Sequence, residues 1–207
     1  MGVFMKRTER TELTVSKILE AALEEFGANG YAGGTVNGIC RRGINKGLIY
    51  HNFKDKDELY LVCLDVSCKK LVKLFEESGC TFDQLQYMKL RLHFFTECPN
   101  EAHIFFEAIL QPQEKLLDRI QQILQPFEEI NEKFYRSVIS GIKLRDGITE
   151  EDAVDYFRFM QRMFNGYFSS SAYRYMSPDE QIREHETNLS KMLDFMLYGI
   201  AEGGMKK

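Results

Sequence analysis

The chain has 207 residues, 44% of them hydrophobic and 28% charged, enough to bury a core in one domain or two and too apolar for a disordered chain. No apolar run approaches the roughly eighteen residues of a membrane span, and the opening MGVFMKRTERTEL offers no signal peptide, so a cytoplasmic protein without a membrane partner is expected. The net charge of −4 is unevenly spread: residues 1–56 hold nine bases and six acids, a balance of +3 that leaves −7 to the remainder, as expected if only the head meets a polyanion.

In chain order, Ile18, Leu19, Ala22, Leu23 and Phe26 recur at helical spacing between Thr11 and Asn29, and Asn29-Gly30 supplies a stop. Thr35 can cap a short helix carrying Val36, Ile39 and Cys40 and ended by Gly43; Asn45 can cap another carrying Leu48, Ile49 and Phe53. Asp55 with Glu58 resembles a capping box, after which Leu59, Val62, Cys63, Val66 and Leu74 continue a long fourth helix toward Ser78-Gly79. Pro99, Pro112, Pro126 and Pro178 each precede a periodic stretch and are expected in the first turn of a helix. Asp146-Gly147 breaks the chain, Thr149 with Asp152 restarts it, and Ser177-Pro178 with Glu180 opens the last helix. No strand pattern or repeat emerges, so the expected class is all-α. Cys40, Cys63, Cys68, Cys80 and Cys98 lack any Cys-x-x-Cys pair and read as small buried hydrophobes, suggesting no disulfide framework and no metal site.

The last two helices carry more apolar residues than one stripe needs. Between Ala153 and Met176 these include Phe157, Phe159, Met160, Met163, Phe164, Tyr167 and Phe168; the final helix has Ile182, Leu189, Leu193, Met196 and Ile200 on one stripe, with Met192 and Phe195 on another. Either both helices are buried on two sides within one monomer or they add a partner face to a core face. The second reading makes them half of a four-helix dimer bundle, with Phe164, Phe168, Leu189, Met192, Phe195 and Met196 as the expected interface.

Two short helices around a tight turn, between a scaffold helix and a long one, make a helix-turn-helix. The second would begin at Asn45, where free N–H groups favour a phosphate. Lys46 beside it can reach phosphate or a guanine edge, and Gly47 lets the backbone approach a duplex closely. Tyr50 and His51 project outward while Ile49 and Phe53 turn into a small core; Arg41 and Arg42, then Lys54 and Lys56, flank the helix and can meet the sugar-phosphate backbone.

The run KILEAALEEFGANGYAGGTVNGICRRGINKGLIYHNFKDKDELY resembles the N-terminal domain of TetR-type bacterial transcriptional regulators. The likeness rests on the Ile-Leu-x-Ala-Ala-x-x-x-Phe helix, Gly30-Tyr31, Thr35-Val36, Ile39, and Lys46-Gly47 with Tyr50, Phe53, Lys56 and Leu59, and covers about the first sixty residues. It implies a helix-turn-helix domain over 1–54 and an all-helical ligand-binding and dimerisation domain over 55–207. It further implies a homodimer that reads a near-palindromic operator in double-stranded DNA, most simply as a repressor released by a small-molecule effector. Carried over residue by residue, Thr35 becomes a phosphate-contacting cap, Lys46, Gly47, Leu48 and His51 the groove-facing set, and Tyr50 and Lys56 backbone contacts. The sequence departs from the pattern twice: one residue is missing before Gly43, which implies a shorter second helix or turn, and Gly38 stands in a helix interior at a cost of about 1 kcal/mol relative to alanine.

Two other functions stand beside this one. A helical enzyme would need chemistry that the sequence lacks: no glutamate stands three residues before His93, His103 or His185, and there is neither a phosphate loop nor a nucleophile elbow, so no cofactor is expected. His103 and Glu107 share a helical face and could meet in a pocket or form a structural pair. A ligand sensor without DNA binding would not need Lys46, Tyr50 and Lys56. Phe94, His93, His103, Phe105, Phe106, Phe159 and Met163 are the candidate walls of an effector cavity, and would serve equally well as core filler.

Overall fold

The computed structural model describes the backbone of residues 7–79, 83–173 and 175–200, and side chains from residue 12 to 197 within that range. Its elements are α1 (Arg7–Gly33), α2 (Val36–Arg41), α3 (Lys46–Asn52), α4 (Lys56–Glu77), α5 (Gln84–Glu97), α6 (Pro99–Leu110), a single 3-10 turn (Glu114–Leu116), α7 (Leu117–Ser140), α8 (Glu150–Phe168) and α9 (Pro178–Ile200). No strand occurs among the described residues.

Local chemistry sets the helix starts. The Thr35 side chain accepts from Gly38 N at 2.9 Å, Asn45 from Gly47 N at 2.7 Å and Asp55 from Glu58 N at 2.8 Å, so each short helix has a satisfied N-terminus. Thr149 and Asp152 complete a capping box on α8, and Ser177 with Glu180 does the same for α9. At Gly30, φ is +64° and the helical path breaks, so α1 ends in a short turn set off from its main shaft. Gly43, at φ +88°, closes the turn between α2 and α3.

Ile18, Ala22, Phe26, Ile39, Ile49, Phe53, Leu59 and Tyr60 are buried where α1, α2, α3 and the first turns of α4 meet. Helices as short as α2 and α3 persist only through such packing. The core continues through α4 into the body, where α4 packs on α6 and α7, α5 pairs with α6 and α9, and α8 lies between α7 and α9. Pro99 and Pro178 stand in the first turn as expected, but Pro126 lies inside α7, nine residues after its start. The buried stripe Ile120, Leu124, Phe127 and Ile130 carries that helix across the lost hydrogen bond. Cys63 and Cys68 are buried, with burial pushing their thiols up to about 12 and about 11, while Cys40 and Cys98 are half-buried; Cys80 lies outside the described residues.

One polar cluster crosses the body core. Arg91 of α5 donates from Nε and Nη2 to both carboxylate oxygens of Glu186 of α9, at 2.7 and 2.6 Å, and from Nη1 to Tyr87 Oη. Tyr87 donates to Asn131 of α7 at 2.7 Å, and the His185 ring bridges Glu186 and Asn165 of α8. The pair is bidentate and satisfied on every side, which a buried guanidinium and carboxylate require.

Candidate nucleic-acid interface

The second helix of the helix-turn-helix, α3, turns Ile49 into the core and leaves Lys46, Gly47, Leu48, Tyr50 and His51 exposed. Leu48 and Tyr50 stand 44% and 51% exposed, unusual for large apolar side chains on a seven-residue helix. The Asn45 side chain caps α3, the Lys54 backbone N–H donates to Glu58 while its side chain is exposed, and Arg41 is exposed at the end of α2. Lys46 Nζ lies 3.3 Å from Asn37 Oδ1, and the Lys56 amine sits 4.3 Å over the Tyr31 ring, a cation–π contact at the start of α4. A Cβ on Gly47 would come within 3.1 Å of the capping Asn45 oxygen, a local reason for a glycine there besides close approach to a duplex.

Arg42 is placed differently from the expectation. Its guanidinium pairs with Glu25 and Glu24 of α1 and donates to Gly38 O, so it ties α2 to the scaffold helix instead of standing free for phosphate. Glu25 is only 3% exposed and also accepts from Thr35 N at 3.1 Å. A Cβ on Gly38 would fall 1.8 Å from Glu25 Oε1; the glycine that looked like a helix-weakening departure is the seat of a buried carboxylate. Glu25 was missed as an anchor because its partners lie 10 to 17 residues away. The only hint in the sequence was an acid next to buried Phe26 on α1.

A second set of bonds joins this region to the body. Glu107 of α6 accepts from Tyr31 N at 2.8 and 2.9 Å, just past the break at Gly30, and from Tyr60 Oη at 3.0 Å. His103, one turn earlier, reaches Gly27 O with Nδ1 (2.9 Å) and Asp179 of α9 with Nε2 (2.8 Å). His103 and Glu107 therefore do share a face, but each bonds elsewhere. The Tyr31 hydroxyl donates to Asp57, which also takes Lys115. Burial pushes the Glu107 carboxyl above its ordinary range against the pull of its hydrogen bonds, while bonds from Lys115 and Tyr31 hold Asp57 below its own.

The residues proposed for an effector cavity do not gather around one cavity, although His103 and Phe106 both line a cleft beside α1. Phe94, Phe105 and Phe106 are buried in mutual edge contacts, His93 is exposed on α5, His103 lies at the junction with α1, and Phe159 and Met163 point outward from α8. The interface set divides similarly. Phe164, Phe168, Leu189 and Met196 belong to the monomer core, Met192 is half-buried, and Phe195 is 73% exposed. The outward apolar face consists of Phe159, Met163 and Tyr167, spaced four apart on α8, beside Phe195 of α9, with a groove of about 450 Å³ between the helices. Ile200 has no described side chain. Among the described residues no cluster of His, Cys, Asp or Glu is arranged to hold a metal, and no helix is long and apolar enough to cross a membrane.

A capped helix-turn-helix on an all-helical body defines a DNA-binding transcriptional regulator. The sequence profile of bacterial regulatory proteins of the tetR family matches residues 18–63, and that of the Tetracyclin repressor-like C-terminal domain matches residues 80–206. The chain belongs to the TetR family, whose members are ligand-responsive regulators of transcription. No curated protein matches it. Among solved structures, a transcriptional regulator from Rhodococcus sp. Rha1 is 16% identical, with 92% of this chain and 99% of that one covered at a TM-score of 0.61. FadR from Bacillus subtilis, in complex with stearoyl-CoA, is 17% identical (89% and 98% covered, TM-score 0.60), and a TetR family regulator from Chloroflexus aurantiacus is 18% identical (93% and 95%, TM-score 0.60). At these identities the likeness is one of fold.

Proposed function

We propose that this chain is a cytoplasmic, homodimeric, non-enzymatic repressor that binds a near-palindromic operator in duplex DNA and is released by a small-molecule effector. The observation that carries the reading is α3, seated on the core through Ile49 beside the α2 that Glu25 anchors, with Lys46, Leu48, Tyr50 and His51 facing outward. In this reading residues 1–54 form the DNA-binding domain and 55–207 the ligand-binding and dimerisation domain. Lys46, Gly47, Leu48 and His51 enter the major groove, and Thr35, Arg41, Asn45, Tyr50, Lys54 and Lys56 hold phosphates. Arg42 contributes by fixing α2. The outward face of Phe159, Met163, Tyr167 and Phe195 supports dimerisation, because exposed side chains of this size on adjacent helices are covered most economically by a two-fold copy. Since the Bacillus subtilis FadR structure holds stearoyl-CoA, acyl-CoA thioesters are a reasonable first class of effector to screen. Selection from random duplexes with the full-length protein, at low salt and without effector, should enrich a two-fold-symmetric motif with half-sites about one helical turn apart. Recovery of no motif would refute DNA binding and favour a sensor without it.

A further inference from the structure

The end of α1 and the body enclose a cleft of about 280 Å³, walled by residues 26–30 of α1, by His103, Phe106, Glu107 and Gln111, and by Met176, Pro178, Gln181 and Ile182. Among the described residues no lysine or arginine lines it. The Glu107 carboxylate, with room for about four hydrogen bonds, takes only neutral ones, from Tyr31 N–H and Tyr60 O–H. Asn29 spends one amide N–H on Glu25 O and Gln181 one on Phe168 O, which orients both amides with their oxygens available to accept. The nitrogens of His103 are both engaged, and Asp179 offsets any charge on its ring. Phe106 and Ile182 are buried apolar walls, and Met176 and Pro178 line the α9 side.

We infer that this cleft binds a small primary ammonium compound with a short apolar body, its N–H groups on Glu107 and the neighbouring amide oxygens and its body against Phe106 and Ile182. A primary ammonium brings three donors and the opposite charge to a carboxylate that, among the described residues, has no charged hydrogen-bond partner and feels Lys56 only at a distance, a charge-assisted arrangement stronger than its present neutral bonds. Burial already works against the Glu107 charge, so a cation there relieves a cost that the protein bears when empty. The volume is just under the lower end of ligand pockets, about 300–1,000 Å³, which fits an arylalkylamine and excludes a long acyl chain. The occupant would touch α1 through Gly27–Gly30 and the body through α6 and α9. If the chain acts as the regulator proposed above, occupancy would then register as a change in operator affinity.

The test uses the full-length protein without DNA, so its outcome is independent of the DNA-binding reading. Calorimetry near neutral pH would compare 2-phenylethylamine with 2-phenylethanol and 3-phenylpropionate, which share its ring and differ in charge. The amine should bind at least about tenfold more tightly than either, the equivalent of about 1.4 kcal/mol. Glu107→Gln keeps the shape and one acceptor, and should erase the preference for the cation. Should that variant fold poorly by circular dichroism, Ala28→Trp alters an exposed residue at the cleft and should block the amine while leaving the helical content intact. Equal binding of the three probes, no binding of the amine at millimolar concentration, or unchanged amine binding by Ala28→Trp would overturn the assignment.

Discussion

Gly38 has no room for a Cβ, because the buried Glu25 carboxylate of α1 holds that space. Replacing it with alanine gains about 1 kcal/mol of helix propensity, yet the new Cβ must evict the Glu25 carboxylate from its bonds to Thr35 N and Arg42. Losing hydrogen bonds to a buried charge costs roughly 1.5–3 kcal/mol each, so with both lost and the helix gain offset against them Gly38→Ala should destabilise the protein by about 2–5 kcal/mol net. In a Glu25→Ala background the same substitution should be neutral or stabilising; urea melts of the four proteins measure the coupling, and additive losses would count against the anchor. Arg41 and Arg42 should part company too. Arg42→Ala should cost about 2 kcal/mol of stability by leaving Glu25 without its cation, whereas Arg41→Ala should leave the melt unchanged. The glycine itself was legible in the sequence; its reason was not, because the residue that needs the space lies on another helix.

Among the elements, α8 and α9 show how far a hydrophobic pattern reaches. It announced two apolar faces on each helix without saying which one meets the core. Neighbouring residues on a helix point about 100° apart, so the grouping of Phe195 with Met196 could not survive: one is exposed and the other 1% exposed. Phe195→Lys should therefore leave a folded protein that light scattering finds as monomer, and Met196→Lys should unfold it. A dimer that tolerates lysine at 195 would place the partner surface elsewhere.

The Arg91–Glu186 pair joins α5 to α9 and was unmarked in the sequence, since one arginine and one glutamate among 58 charged residues carry no signal of burial. Burial opposes the Glu186 charge, but the Arg91 guanidinium and then His185 hold its carboxyl down to about 2; burial drives His185 below its ordinary value, with Glu186 opposing. Both folded values are depressed, so the stability they confer is complete above the unfolded values and is lost on acidification. The loss should begin below about pH 6.5 as the unfolded state takes up the histidine proton, and steepen from about 4.3 toward 2 as Glu186 is protonated. Urea midpoints across that range measure it. Arg91→Met alone should cost about 3–5 kcal/mol, and adding Glu186→Leu should restore most of it and flatten the acid limb attributable to Glu186.

For the whole molecule the consequence is how it meets DNA. The helix-turn-helix was readable almost residue by residue because caps, turn glycines and short apolar spacings are local signals. The joint between it and the body was not, because Glu107, His103 and Asp179 act across the fold. Lys46→Ala or His51→Ala should cost roughly 1–3 kcal/mol, mainly on the preferred operator, while Lys56→Ala should weaken all sequences alike and lower the salt dependence by about one unit of slope. Titrations at several salt concentrations separate the two patterns. A Lys46→Ala variant with undiminished sequence preference would remove that residue from base recognition.

The bonds from Glu107 to Tyr31 and Tyr60 also govern how the molecule comes apart. Leu59 and Tyr60 complete the core beneath α1 although they belong to α4, and Glu107 reaches from α6 to the same place. The first three helices thus have no boundary along which to melt alone, and heating should produce a single calorimetric transition with matching van't Hoff and measured enthalpies. A fragment ending at residue 54 should stay largely unstructured, so that the helix-turn-helix would exist as a folded object only while the helices behind it are attached.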